Sequence, residues 1–247
     1  MIANLLFLFV TAFSAGMLVF VVPKNKSFDF RLTLVFAGSY LFSITIIHIL
    51  PEIFEGDNTP PGIGIFILIG FFLQLFLEFF TSGVEHGHIH KPSNHDHSHS
   101  ISPVSLLLAL CIHAFLEGTL LSHPSDSHHH DDVRALLIGI VLHKMPAAFA
   151  LMSVLLYQFE NKKKSILFLF IFSMASPFGL LVSAYFNEYN LISQNAFTIL
   201  YAIVSGNFLH ISTTIFFESS PEHKFNARKL IVSMVGALVA VLAEQLM

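Results

Sequence analysis

Two histidines and a glutamate lie where an apolar chain would be expected to carry none. The stretch Leu106–Leu121 reads LLLALCIHAFLEGTLL, and Leu136–Leu151 reads LLIGIVLHKMPAAFAL. His113 and Glu117 are spaced i, i+4 and share one helix face. His143 sits midway along the second stretch, followed by Lys144 and Pro146. Two imidazoles and one carboxylate form a borderline donor set that suits Zn²⁺, Fe²⁺, Mn²⁺ or Co²⁺, with water completing the shell of an ion that must exchange. The plainer alternative is a pair of buried histidines bonded to helix carbonyls. Either histidine alone would favour that alternative, but three donors at one depth favour a metal path. Pro146 lacks an N–H and crowds the carbonyl of Leu142, freeing a backbone oxygen beside His143. A simple kink is the other reading.

The elements that must position these groups are membrane helices. Of 247 residues, 54% are hydrophobic and 11% charged, against about a quarter charged in a soluble domain. Eight apolar segments are long enough to span a bilayer core of about 30 Å: Ile2–Val22, Phe30–Leu50, Gly62–Phe80, Ile101–Leu121, Val133–Tyr157, Ser165–Phe186, Ile192–Phe217 and Leu230–Leu246. No period-2 pattern of ten-residue strands appears, which argues against a transmembrane barrel. The predicted class is an all-α integral membrane protein with eight transmembrane helices in a single domain, 1–247. Met1–Val22 is apolar throughout with no Lys or Arg before Lys24, so it reads as a retained first helix rather than a cleaved signal. At 1.5 Å per residue, His113 lies about 18 Å up the fourth span and His143 about 15 Å down the fifth. Two antiparallel helices thus bring the three donors to a similar depth.

Every Lys and Arg except Arg134 and Lys144 falls in alternate connections: Lys24, Lys26 and Arg31; Lys91; Lys162–Lys164; and Lys224, Arg228 and Lys229. The positive-inside rule makes those connections cytoplasmic and puts both termini outside. A bacterial cytoplasmic membrane is the expected residence. The connections on the other side are acidic, with Glu52, Glu55 and Asp57 in one and Asp126, Asp131 and Asp132 in another. No basic patch or nucleic-acid motif is present, so no nucleic-acid partner is expected; the lone Cys111 rules out an intrachain disulfide. Two connections are rich in histidine. Residues 83–100 carry His86, His88, His90, His95, His97 and His99, and residues 122–132 mix four histidines with three aspartates. With no cysteine and no rigid spacing, both suit weak buffering of divalent ions better than a tight site. Incidental histidines in a solvated linker are the competing reading.

The two central stretches resemble the fourth and fifth helices of the ZIP metal-ion transporters, whose motifs read approximately H-x-x-x-E-G and H-x-x-P. His48-Ile-Leu-Pro51-Glu52 is similar to that family's HxLPE motif, and Gly206-Asn-Phe-Leu209 resembles its G-T-F-L element. The form His143–Ala148 looks most like the branch in which Lys follows the fifth-helix histidine. The resemblance implies a bundle arranged as 3+2+3 with inverted repeats, importing divalent ions and commonly forming homodimers. Zn²⁺ is the expected cargo, with Fe²⁺, Mn²⁺ or Cd²⁺ as alternatives, and the metal residues are His113, Glu117 and His143. Many members hold two adjacent metals. Here Ala114, Lys144, Ala147 and Ser176 stand where the second ion's ligands often occur, so a binuclear centre is not expected. A lysine at this depth costs about 2.5–3.5 kcal/mol on insertion scales and should have a partner. Its ammonium is expected to pair with Glu117 in place of the second ion; a structural lysine reaching a helix carbonyl is the alternative.

Other polar residues carry weaker expectations. His48 and Glu52 suit an outer vestibule or simple helix-end solvation. Gln74 and Glu78 share a face of the third span, where Glu78 could snorkel. His210 suits an exit path or a bond within the bundle, and Glu244 is expected to be solvated. An intramembrane metalloprotease is disfavoured because H-E-x-x-H is absent and no Ser or Cys nucleophile is arranged near the cluster. A metal buffer or an exporter would share the same residues and differ in flux.

Overall fold

The computed structural model describes residues 1–22, 30–55, 59–81, 102–122, 132–218 and 227–246. Among them, eight helical stretches are long and apolar enough to cross a membrane. The helices are α1 (Ile2–Met17), α2 (Phe30–Ile44), α3 (Leu50–Glu55), α4 (Ile63–Thr81), α5 (Pro103–Leu120), α6 (Asp132–Phe159), α7 (Lys162–Glu188), α8 (Gln194–Glu218) and α9 (Ala227–Leu246). A 3₁₀ turn, Leu18–Phe20, extends α1. A π-helical turn, Thr45–Ile49, joins α2 and α3 into one span. Pro51, just beyond it, has no N–H to offer, so the ladder toward the preceding carbonyls is interrupted where the helix widens. The chain is an integral, multi-pass, all-helical membrane protein, as its composition predicts.

Local chemistry sets several ends. Ser102 and Pro103 open α5, since proline is tolerated in a first turn whose N–H would be orphaned anyway. Asn161 caps α7, its side-chain oxygen accepting from the backbone N–H of Lys163 and Lys164 at 3.1 and 3.2 Å. That cap starts α7 at Lys162, three residues before the apolar run begins. Gly62, at φ 76°, makes the turn into α4.

The helices sort into two groups by packing. One contains α1, α5, α6 and α7; the other contains α2 with α3, α4, α8 and α9. Membrane helices gain little hydrophobic drive from one another, and small residues let their backbones approach. Those approaches lie inside the groups. A methyl on Gly118 would overlap the carbonyl oxygen of Ser176, and one on Gly179 that of Phe115, which locks α5 to α7. Gly70 and Gly206 stand in the same relation to the carbonyls of Ile203 and Ile67, which locks α4 to α8, and Gly236 meets that of Phe36 between α9 and α2. One apolar cluster, around Leu110, Leu151, Leu169 and Phe172, belongs to the first group. Another, around Leu34, Val35, Ile211 and Ile215, belongs to the second. The largest runs between them, with Leu8, Ile140 and Leu180 facing Leu41, Ile44 and Phe208. Outward-facing residues such as Phe72, Phe76, Phe79, Met234 and Leu238 are exposed and apolar, as lipid contact requires.

Candidate metal site

His113 and Glu117 project from one face of α5, and His143 from α6 beside it. One ligand atom from each lies within 4.8 Å of the others, and all three side chains are buried. The His113 and His143 rings meet edge to face, with centroids 5.8 Å apart. His113 Nε2 approaches Glu117 Oε1 to 3.0 Å, yet neither atom has a hydrogen-bond partner among the described residues. His113 Nδ1 has none either. Buried polar atoms are almost always satisfied, so orphaned donors and acceptors gathered at one point suit a cation. The spacing read from sequence therefore brings its three residues together.

Lys144 is 2% exposed and has two polar partners here. Its Nζ lies 3.1 Å from Glu117 Oε2 and donates to Ser176 Oγ on α7. Ser176 Oγ in turn donates to the Ala114 carbonyl at 2.5 Å, a reach that the Gly118 contact with the Ser176 backbone makes available. The Nζ also lies 5.3 Å from the centroid of Phe172. The two oxygens of Glu117 are thus divided, one facing the imidazoles and the other held by an ammonium. With neutral imidazoles the cluster has no net charge, and a divalent ion would bring two positive charges into it. The alternative of a lysine reaching only a helix carbonyl is set aside by this geometry. Pro146 does not break α6, which continues to Phe159.

Other expectations change. Glu244 is not simply solvated: its Oε1 lies 2.9 Å from His48 Nδ1. His48 Nε2 faces Glu52 Oε2 at 3.7 Å, and Tyr201 donates to the same oxygen at 2.8 Å. His48 sits in the π-helical turn, joining α2, α3, α8 and α9 at one end of the bundle. Glu78 does not merely snorkel; it is paired with His210 across α4 and α8 at 3.5 Å. Sequence reasoning did not single out Ser176 as a partner of Lys144, Tyr201 as a partner of Glu52, or Asn207. Only the resemblance marked the Ser176 position, and only as a missing ligand. The histidine-rich segments fall at 82–101 and 123–131, outside the described residues.

The family model for the ZIP zinc transporters matches residues 1–106 and 94–244. The chain belongs to that family. Among curated ZIP relatives, zinc transporter ZIP9 of Xenopus tropicalis is 25% identical over 167 residues, 64% of this chain and 53% of that protein. ZIP9 of Micropogonias undulatus is 24% identical over 156 residues, covering 61% and 49%. Protein zntD of Dictyostelium discoideum is 29% identical over 153 residues, covering 58% of this chain and 22% of its own length. The chain spans about half the length of the ZIP9 proteins it matches. Among the described residues, His113, Glu117 and His143 form a buried group that could hold a metal ion.

Proposed function

We propose that the chain carries divalent metal ions, Zn²⁺ foremost, across a membrane through the site formed by His113, Glu117 and His143. The observation that carries this reading is the buried triad, whose ligand atoms converge within 4.8 Å in the midst of apolar helices. Membership of the ZIP family and relatives named as zinc transporters support zinc as the cargo; Fe²⁺, Mn²⁺ and Cd²⁺ are the competitors to test. The two imidazoles and Glu117 Oε1 replace part of the ion's hydration shell. Lys144 holds Glu117 Oε2, so the triad takes one ion, and the ammonium keeps the carboxylate paired when the ion has left. The lysine branch of the family rests on His143–Ala148 alone.

Access to the site then has to alternate. Close backbone contacts lie within the α1–α5–α6–α7 group and within the α2–α4–α8–α9 group, which favours relative movement of the two groups over bending inside either. The proposed inverted repeats are in keeping with this packing: α4 against α8 mirrors α2 against α9, and α5 against α7 mirrors α1 against α6. The Lys-rich connections support an orientation with both termini outside; delivery to the cytosol is the direction proposed, and the uptake assay tests it. The named relatives are animal and amoebal, so they lend no support to a bacterial membrane. Homodimers are tested by cross-linking in native membranes.

The test is uptake into proteoliposomes. Zn²⁺ should accumulate and be competed by the other three ions. His113→Ala, Glu117→Ala and His143→Ala should each reduce uptake to the level of empty vesicles while helical content is retained. Near-normal uptake by all three variants would defeat the assignment, and stoichiometric binding without flux would make the protein a buffer.

A further inference from the structure

Glu78 on α4 and His210 on α8 are separate from the triad and unused by it. Glu78 Oε2 and His210 Nε2 stand 3.5 Å apart, with side chains 14% and 5% exposed. They face each other across the helix pair that Gly70 and Gly206 hold in backbone contact. The Phe71 ring packs edge-on against the His210 imidazole, centroids 4.8 Å apart, and so fixes its orientation. One turn earlier on each helix stands an amide, Gln74 and Asn207, each fully buried. Neither side-chain atom of Asn207 has a hydrogen-bond partner among the described residues. A buried amide with both ends unmatched is rare and costly in a protein, and it suits a polar guest.

The geometry suits a cation. Two ligands at about 2.0–2.1 Å from a tetrahedral Zn²⁺ stand roughly 3.3 Å apart, so an imidazole nitrogen and a carboxylate oxygen 3.5 Å apart can both reach one ion. Position matters too. At 1.5 Å per residue, Asn207 lies about 20 Å and His210 about 24 Å along α8 from Gln194, while His143 lies about 16 Å along α6 from Asp132. Asn207 and then His210 thus follow the triad in order toward the end of the bundle that carries the Lys-rich connections.

We propose that Glu78 and His210, with the Asn207 amide one turn before them, form a second divalent-cation station on the release side of the triad. The proposal rests on the transport reading above. An ion leaving three protein ligands meets one carboxylate, one imidazole and an amide oxygen, with water filling the remaining positions. The station belongs to the α2–α4–α8–α9 group, so it does not travel with the triad when the groups shift. An ion can therefore be handed from one group to the other.

The experiment uses the full chain with Cys111→Ser and His210→Cys, and Cd²⁺ alone as probe. The ultraviolet cadmium–thiolate charge-transfer band reports only ions at that thiol, so the histidine-rich segments do not contribute to it. A saturable band is expected. Partners one step removed from a metal are worth roughly 10- to 100-fold in affinity, so removing the opposing ligand with Glu78→Gln should weaken the band's Kd at least tenfold. The band should persist with His143→Ala, in which the triad is broken. If His210→Cys does not fold, Glu78→Cys places the thiol opposite His210 and is read the same way. With the native histidine, Glu78→Gln and His210→Gln should lower the maximal rate of Zn²⁺ uptake more than they alter KM. A folded variant without the band, a band indifferent to Glu78→Gln, or an unchanged maximal rate in both Gln variants would overturn the station. Normal uptake by the triad variants, with the band intact, would instead overturn the transport path and leave the station as a binding site.

Discussion

In the group that carries the triad, polar side chains from three helices converge on one point; in its companion they are strung along the length of the bundle. His113, Glu117, His143, Lys144 and Ser176 form one buried network on α5, α6 and α7. In the companion, His48, Glu52 and Glu244 meet at one end, and Glu78 and His210 meet toward the other. Both groups are built by the same device, glycine against a neighbour's carbonyl, so the difference does not arise from packing. It lies in where charge is placed. The convergent network is closed off from solvent and internally balanced. The companion's acid–histidine pairs are more open, Glu52 and Glu244 being 31% and 25% exposed. Such a division suits one group that holds the ion and another that passes it in and out.

The contrast breaks first at Lys144. Lys144→Met leaves the Glu117 carboxylate buried without its ammonium, and breaking a buried pair in this way costs about 3–5 kcal/mol. The metal-free protein should melt correspondingly earlier, and Cd²⁺ should restore far more stability to the variant than to the wild type, because the cation then supplies the missing charge. Glu244→Gln in the companion group removes a partly exposed partner and should cost less than about 1 kcal/mol. Thermal unfolding with and without Cd²⁺ measures both. Equal losses would mean that the two charge arrangements do not differ as described.

Glycine substitutions sharpen the comparison of packing within groups and between them. Gly118→Ala forces a methyl onto the Ser176 carbonyl inside the triad group, with no flexible side chain to yield. Overpacking of this kind costs about 1–3 kcal/mol. Gly139 faces the other group, and a methyl there would meet the Tyr40 ring edge at 3.1 Å. A ring can move by a few tenths of an ångström, so Gly139→Ala should cost under about 1 kcal/mol while altering the uptake rate. Similar destabilisation by both substitutions would remove the distinction between the groups.

Much of this was legible in the residues. Long apolar runs announce membrane helices because a bilayer sets their length, and the eight spans fall within a few residues of the observed helices. The i, i+4 spacing of His113 and Glu117 survives folding because a helix fixes it, and the buried cost of Lys144 demanded a partner that the structure supplies. The pairings between distant spans were not legible. His48 with Glu244, and Glu78 with His210, depend on the rotation and tilt of helices whose apolar faces all look alike in a lipid solvent. The glycines were visible, but which carbonyl each would meet was not. The apolar run begins at Ser165, whereas α7 begins at Lys162: three lysines in a first turn oppose the helix dipole, and the cap that overrides them is a single residue, Asn161.

A single hydrogen bond tests whether the groups part at all. Tyr40 on α2 is fully buried and donates to the Ala135 carbonyl on α6 at 2.9 Å, a hydrogen bond that crosses from one group to the other. Tyr40→Phe keeps the ring and removes the bond, at a cost of about 1 kcal/mol in thermal or denaturant unfolding. If the groups move relative to each other, the bond exists in only one arrangement. Its loss then shifts the balance away from that arrangement by about fivefold, the factor that 1 kcal/mol represents. The maximal rate of Zn²⁺ uptake should change by up to that factor, while the triad's affinity for Cd²⁺ within a given arrangement stays as it was, because no ligand has been touched. A variant that loses the expected stability yet transports at the wild-type rate would mean that the bond persists through the cycle. The movement would then have to be sought inside one of the two groups, against the backbone contacts that hold each together.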